Sequence, residues 1–86
     1  MQLKANDEIL KGHYANMAQI SHTKEEFALD FILMLPPAAQ LQSRVLLSPG
    51  HAKRLVKALQ ENIEKYEGAH GKIEEAEPPK EVGFKG

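Results

Sequence analysis

No cysteine occurs among the 86 residues, so no disulfide can brace this chain, and thiolate catalysis and cysteine-based zinc sites are excluded with it. No apolar run reaches the roughly 18 residues of a membrane span, and no charged segment followed by an apolar run of leader length opens the sequence. Neither sign of charge is in excess. Eleven Lys+Arg against twelve Asp+Glu leave a net charge of −1, so no global field draws the protein onto phosphate backbones or anionic lipid. These absences point to a soluble chain, expected in the cytoplasm, where a lack of cysteine is at home. A single domain of this length leaves much of its surface in water, and its core is marginal without a metal or a partner subunit. With disulfides gone, oligomerisation is the leading expectation.

What the sequence does contain is concentrated in its middle. Residues 25–37 read EEFALDFILMLPP, and from Phe27 to Leu35 only Asp30 interrupts the apolar run. Such a segment is oily on both faces if it is a strand. Before it, GHYANMAQISH alternates Tyr14, Met17 and Ile20 with small polar residues, and the polar cluster SHTKEE separates the two stretches. Strand, short polar loop and strand make a hairpin. Setting Ser21 opposite Glu26 across a four-residue loop pairs Ile20 with Phe27, Ala18 with Leu29, Asn16 with Phe31 and Tyr14 with Leu33. One face is then almost wholly apolar, whereas a slip by one residue scatters it. The other face, semi-apolar, carries Ala15, Met17, Gln19 and Ser21 against Ala28, Asp30, Ile32 and Met34.

The prolines of PPAAQLQS end the second strand, and the segment is expected to be a connection. SRVLLS, residues 43–48, then reads as a third strand. Beyond it the helical signal is strong: Ser48 is an N-cap candidate, Pro49 suits the first helical position, and Ala52, Leu55, Val56, Leu59, Ile63 and Tyr66 form one stripe. Gly68 is the expected stop. The expected architecture is α+β: a three-stranded antiparallel meander followed by one long C-terminal helix packed on one sheet face, with Leu55, Val56, Leu59 and Ile63 against Phe27, Leu29, Phe31, Leu33 and Val45. Residues 1–11 are an N-terminal arm, with an extra edge strand as the alternative, residues 12–71 a single β-β-β-α domain, and residues 72–86 a flexible charged tail. Within that tail, residues 82–84 offer a short docking strand.

Four histidines, His13, His22, His51 and His70, invite a metal reading, but none stands three or four residues from another and no metal is expected. His22, near Glu25 and Glu26, is more simply a solvated loop residue. His51 falls in the first helical turn, where a positive charge opposes the helix dipole. Asp30 in mid-strand is costly unless paired or wet. A salt bridge to Arg44 requires strands two and three to pair at an even sum of residue numbers. A catalytic role would need a nucleophile or second carboxylate nearby, and none is evident. Lys53, Arg54 and Lys57, with Arg44, cluster towards the helix start and could hold an anion, although a solvated face explains them as well. Only Tyr14 and Tyr66 are on offer to interleave with them for nucleic acid.

The blocks HYANMAQISHTKEEFALDFILMLP and SRVLLSPGHAKRLVKALQENIEKYE together resemble a prokaryotic domain of unknown function, family 3467. The resemblance runs from about residue 12 to residue 73. It rests on Tyr14-Ala15-Asn16, on Ser21, His22, Glu26, Phe27, Leu29, Asp30 and Phe31, on Ser43-Arg44-Val45 and Leu47-Ser48-Pro49, and on His51 through Leu55. Members tend to have glutamate where this chain has Gly50 and a longer connection where it has PPAAQLQ. The family has no assigned activity. What the resemblance implies is a stand-alone prokaryotic domain, with Asn16, His22, Asp30, Arg44, His51 and Lys53 as recurrent polar positions.

Burying Ala15, Met17, Ala28, Ile32, Met34 and Leu46 against a twin would remove several kcal/mol of exposure at about 25 cal/mol per Å². The expectation is therefore a non-enzymatic homodimeric protein-binding or assembly module, without cofactor and without membrane association. Its speculative binding residues are Asn16, His22, Asp30, Arg44, His51, Lys53, Arg54 and Lys57. The alternative is a small dimeric DNA-binding transcriptional regulator using the Arg44, Lys53, Arg54 and Lys57 patch; a hydrolase has least support.

Overall fold

A computed structural model of the chain describes residues 1–79. Five elements follow one another: α1 (Asp7–Lys11), β1 (Met17–His22), β2 (Phe27–Leu35), β3 (Ala38–Leu47) and α2 (Pro49–His70). The strands form one antiparallel sheet in the order β1-β2-β3. The protein is thus α+β, a three-stranded meander followed by a long helix.

The N-terminal arm contains a short helix where an edge strand was the alternative. Asn6 caps α1 by accepting from the Ile9 amide at 2.8 Å, and Gly12 closes it at φ 76°. Five residues are too few for a period to be visible in the sequence.

The β1–β2 hairpin pairs Ile20 with Leu29, Ala18 with Phe31 and His22 with Phe27. This is two residues away from the expected register. Thr23 is the cause: its N–H donates to the Glu26 carbonyl at 2.9 Å, and its hydroxyl accepts from the amides of Glu25 and Glu26. That clamp shortens the loop to Lys24 and Glu25. A shift of two preserves every side chain's face, so the facial assignment stands although the partners change.

Residues 38–42, expected to be a connection, already belong to β3. Only Pro36 and Pro37, joined by a cis bond, turn the chain between Leu35 and Ala38. A β-bulge between Phe31 and Ile32 leaves Gln42 as the extra residue of β3. Without it Ile32 would face Gln42. With it, Leu41 stands opposite Ile32, and an aliphatic pair replaces a mismatched one. The result is a phenylalanine face (Ala18, Ile20, Phe27, Leu29, Phe31, Leu33, Val45, Leu47) and a methionine face (Met17, Ala28, Asp30, Ile32, Met34, Leu41, Leu46).

In α2 the cap is as expected: the Ser48 hydroxyl accepts from the His51 amide at 3.1 Å, and Pro49 occupies the first turn. The stop is not Gly68 but Gly71, at φ 95°, whose N–H donates to the Glu67 carbonyl. Tyr66 and His70 lie one turn apart with ring centroids 4.8 Å from each other, and the Glu67 carboxylate accepts from the Ile73 amide. These contacts carry the helix through Gly68. Residues 72–79 contain neither helix nor strand. The expected docking strand at 82–84 lies outside the described residues.

One expectation about packing fails. The helix was to cover a sheet face, yet α2 has no extended contact with any strand, and among the described residues no side chain is buried. Val56 remains 68% exposed and Leu59 52%. The connection explains it. Leu47 ends β3, Pro49 begins α2, and Ser48, the only residue between, is committed as the cap. Strand-to-helix connections usually run to about 2–6 residues. All nine residues of β2 face outward on one side or the other without a layer above them, and eight are only half-buried.

Candidate functional site

Asp30 and Arg44 are direct cross-strand partners, at an even sum, on the methionine face. Arg44 Nε donates to Asp30 Oδ1 at 2.7 Å, and its second terminal nitrogen donates to Oδ2 at 3.0 Å. The pair is bidentate, the mode in which arginine binds carboxylate best. The Asp30 side chain is 16% exposed and that of Arg44 60%. Hydrogen bonding to Arg44 holds the Asp30 carboxyl below its usual pKa and raises that of Arg44. A carboxylate with both oxygens so engaged is a poor proton acceptor at neutral pH, which argues against a general base.

The sign of the pH effect follows. Asp30 has a depressed pKa in the folded chain, so its contribution to stability is present above the unfolded value, about 3.9, and is lost as pH falls below it. Asp30→Asn is expected to be less stable than the parent at neutral pH, with the difference vanishing under acid. Thermal unfolding of both chains across the acid limb checks this, and a difference that persists unchanged below the carboxyl range would refute the pairing.

A second polar cluster holds the corner where the chain enters β1. The Asn16 side chain donates to the Met34 carbonyl at 3.0 Å and accepts from the Met34 amide at 2.9 Å, while its own backbone N–H donates to Ile32. Its carboxamide thus supplies one more rung of the ladder as the main chain departs. On the other edge strand, Gln42 of the bulge donates to the Tyr14 carbonyl at 2.9 Å. Residues 13–15 are thereby placed beside Phe31, Gln42 and Ser43 around an open depression. Asn16→Ala is expected to cost about 1–2 kcal/mol and Gln42→Ala about half of that, counting hydrogen bonds at ordinary net values. Urea unfolding midpoints measure both.

The remaining candidates lie at the opposite end of the sheet. His22 stacks on Phe27, with centroids 5.2 Å apart and planes inclined by 25°. Phe27 pairs with Leu47, from which the chain passes through Ser48 into the helix carrying His51, Lys53, Arg54 and Lys57. Of the eight expected binding residues, Asp30 and Arg44 are in contact. His22 and the helix-start residues share one end of the molecule, and Asn16 is at the other. Gln42 was missed, and the sequence offers no signal for it, since a glutamine beside paired prolines reads as loop.

Five of the six expected interface residues share the methionine face, with Met17 opposite Ile32, Ala28 opposite Leu46 and Met34 beside them, whereas Ala15 precedes β1 and borders the depression beside Phe31. No three metal-binding side chains come together among the described residues. No helix among the described residues is long and apolar enough to cross a membrane.

Neither a curated protein nor a solved structure matches this chain. One family model does, described as "Protein of unknown function (DUF3467)", and its match over residues 1–75 takes in α1, the Asn16 corner, the Asp30–Arg44 pair and all of α2. The chain belongs to that family.

Proposed function

We propose that this protein is a non-enzymatic homodimeric module for protein binding or assembly, working in the prokaryotic cytoplasm. One observation carries the reading: three apolar surfaces, the two faces of the sheet and the stripe of α2, lie open on a chain in which no described side chain is buried. Exposed apolar area of that extent marks a surface meant to be covered. Polar side chains central to the sheet are engaged structurally, Asp30 with Arg44 and Asn16 with the Met34 backbone.

Molar mass in solution tests the reading. Light scattering is expected to give twice the 9.6 kDa of the chain, with a melting temperature that rises with protein concentration, as association requires. A monomer at every concentration, with a cooperative transition of its own, would end it. Exposed Lys53, Arg54 and Lys57 on one half of α2 support the second reading, a DNA-binding regulator. Salt-dependent retardation of duplex DNA would favour that alternative.

A further inference from the structure

We propose that α2 of each protomer lies across the phenylalanine face of a second copy, so that helix and sheet, which one chain does not bring together, are joined between two. This rests on the homodimeric reading and adds how the copies meet. The hinge is the first ground. Ser48 alone separates β3 from α2 and is fixed as the helix cap. Short hinges that prevent an element from folding back favour its exchange between identical chains.

Surface area is the second ground. The chain exposes 8033 Å², whereas a folded monomer of 9.6 kDa exposes about 5,100 Å². Its radius of gyration is 15.9 Å against about 12 Å for a folded domain of this length. Part of this excess of roughly 2,900 Å² per chain lies in the open termini, where Met1 and Leu3 are fully exposed, and the remainder on two chains is of the size of an obligate homodimer interface, about 2,000–5,000 Å².

The dimensions agree. The 22 residues of α2 span about 33 Å, and the nine of β2 about 30 Å. Free edges remain to be joined, since β3 pairs only with β2 among the described residues.

The test lengthens the hinge in the full chain. Eight Gly/Ser residues inserted between Leu47 and Ser48 span about 16 Å, enough for α2 to return to its own sheet. The parent is expected to be a dimer and the insertion variant a folded monomer, so that the measured mass halves. A parent that is itself a monomer overturns the homodimeric reading and this inference together. A dimeric parent whose insertion variant stays dimeric overturns the exchange alone and leaves the methionine face as the place where the twin sits.

Should the variant not fold, cross-linking in the otherwise cysteine-free chain decides. Phe31→Cys chains are mixed in turn with Leu55→Cys, Leu59→Cys and Ile63→Cys chains and oxidised. A mixed covalent dimer with one of the three supports exchange, and its absence from all three refutes it.

Discussion

Leu59→Asp is expected to dissociate the dimer and to cost at least the roughly 2–5 kcal/mol that a leucine loses on truncation to alanine in a packed core. Nothing in the lone chain would produce such a loss. There Leu59 is 52% exposed on a helix that touches no strand extensively, and substitutions at open helical positions usually stay within about 0.5 kcal/mol. The two expectations differ several-fold, so a single variant separates a covered stripe from a bare one.

Gln60→Ala is the control, because Gln60 points off the stripe and its one side-chain bond, to Glu64 at 3.4 Å, is long. It is expected to leave mass and stability unchanged. Light scattering together with urea unfolding reads both effects. A Leu59→Asp chain that keeps the parent's mass and midpoint would show that the stripe is solvated and that the dimer, if one forms, does not use it.

The parts of this fold legible in the sequence are those decided within a few residues. Ser48 and Pro49 announce the start of α2 because a hydroxyl acceptor and a missing N–H are local requirements. The Phe27–Leu35 run announces β2, while the pairing of Asp30 with Arg44 is legible only as a condition, an even pairing sum, which the sheet meets. What escaped depended on details with no periodic signature. Thr23 tightens the first hairpin through its side chain, which moves the register by two without altering the faces. Pro36 and Pro37 end one strand as expected, yet the next begins immediately, because the turn is confined to those two residues. Gln42 becomes a bulge only because Leu41 is then set opposite Ile32.

The placement of α2 was misread for a different reason. Amphipathic pattern tells that a stripe seeks cover but not whose surface supplies it. The candidate site divides in the same way. The ion pair is legible in the sequence on condition of strand parity, whereas the role of Asn16 depends on where Met34 ends up, and only the sheet shows that.

A double-mutant cycle between Phe31 and Leu59 asks the structural question most directly. Both sit near the middle of their elements, Phe31 on the phenylalanine face of β2 and Leu59 on the stripe of α2. Phe31→Ala alone is expected to cost about 3–5 kcal/mol, the value for a phenylalanine lost from a covered core, although in the lone chain no layer lies above the face that carries it. Within one chain helix and sheet are apart, and well-separated sites add to within about 0.3–0.5 kcal/mol. Across an exchanged interface the two side chains share a packed environment, and their losses should fall short of additive by about 0.5–3 kcal/mol. Denaturation of the four chains at one protein concentration supplies the cycle. Because the hinge variant can carry the same substitutions, the coupling is expected to persist there while the mass halves: contacts between helix and sheet are retained, and only their ownership passes from two chains to one. Additive losses in the parent would mean that α2 and the phenylalanine face never meet, in either arrangement.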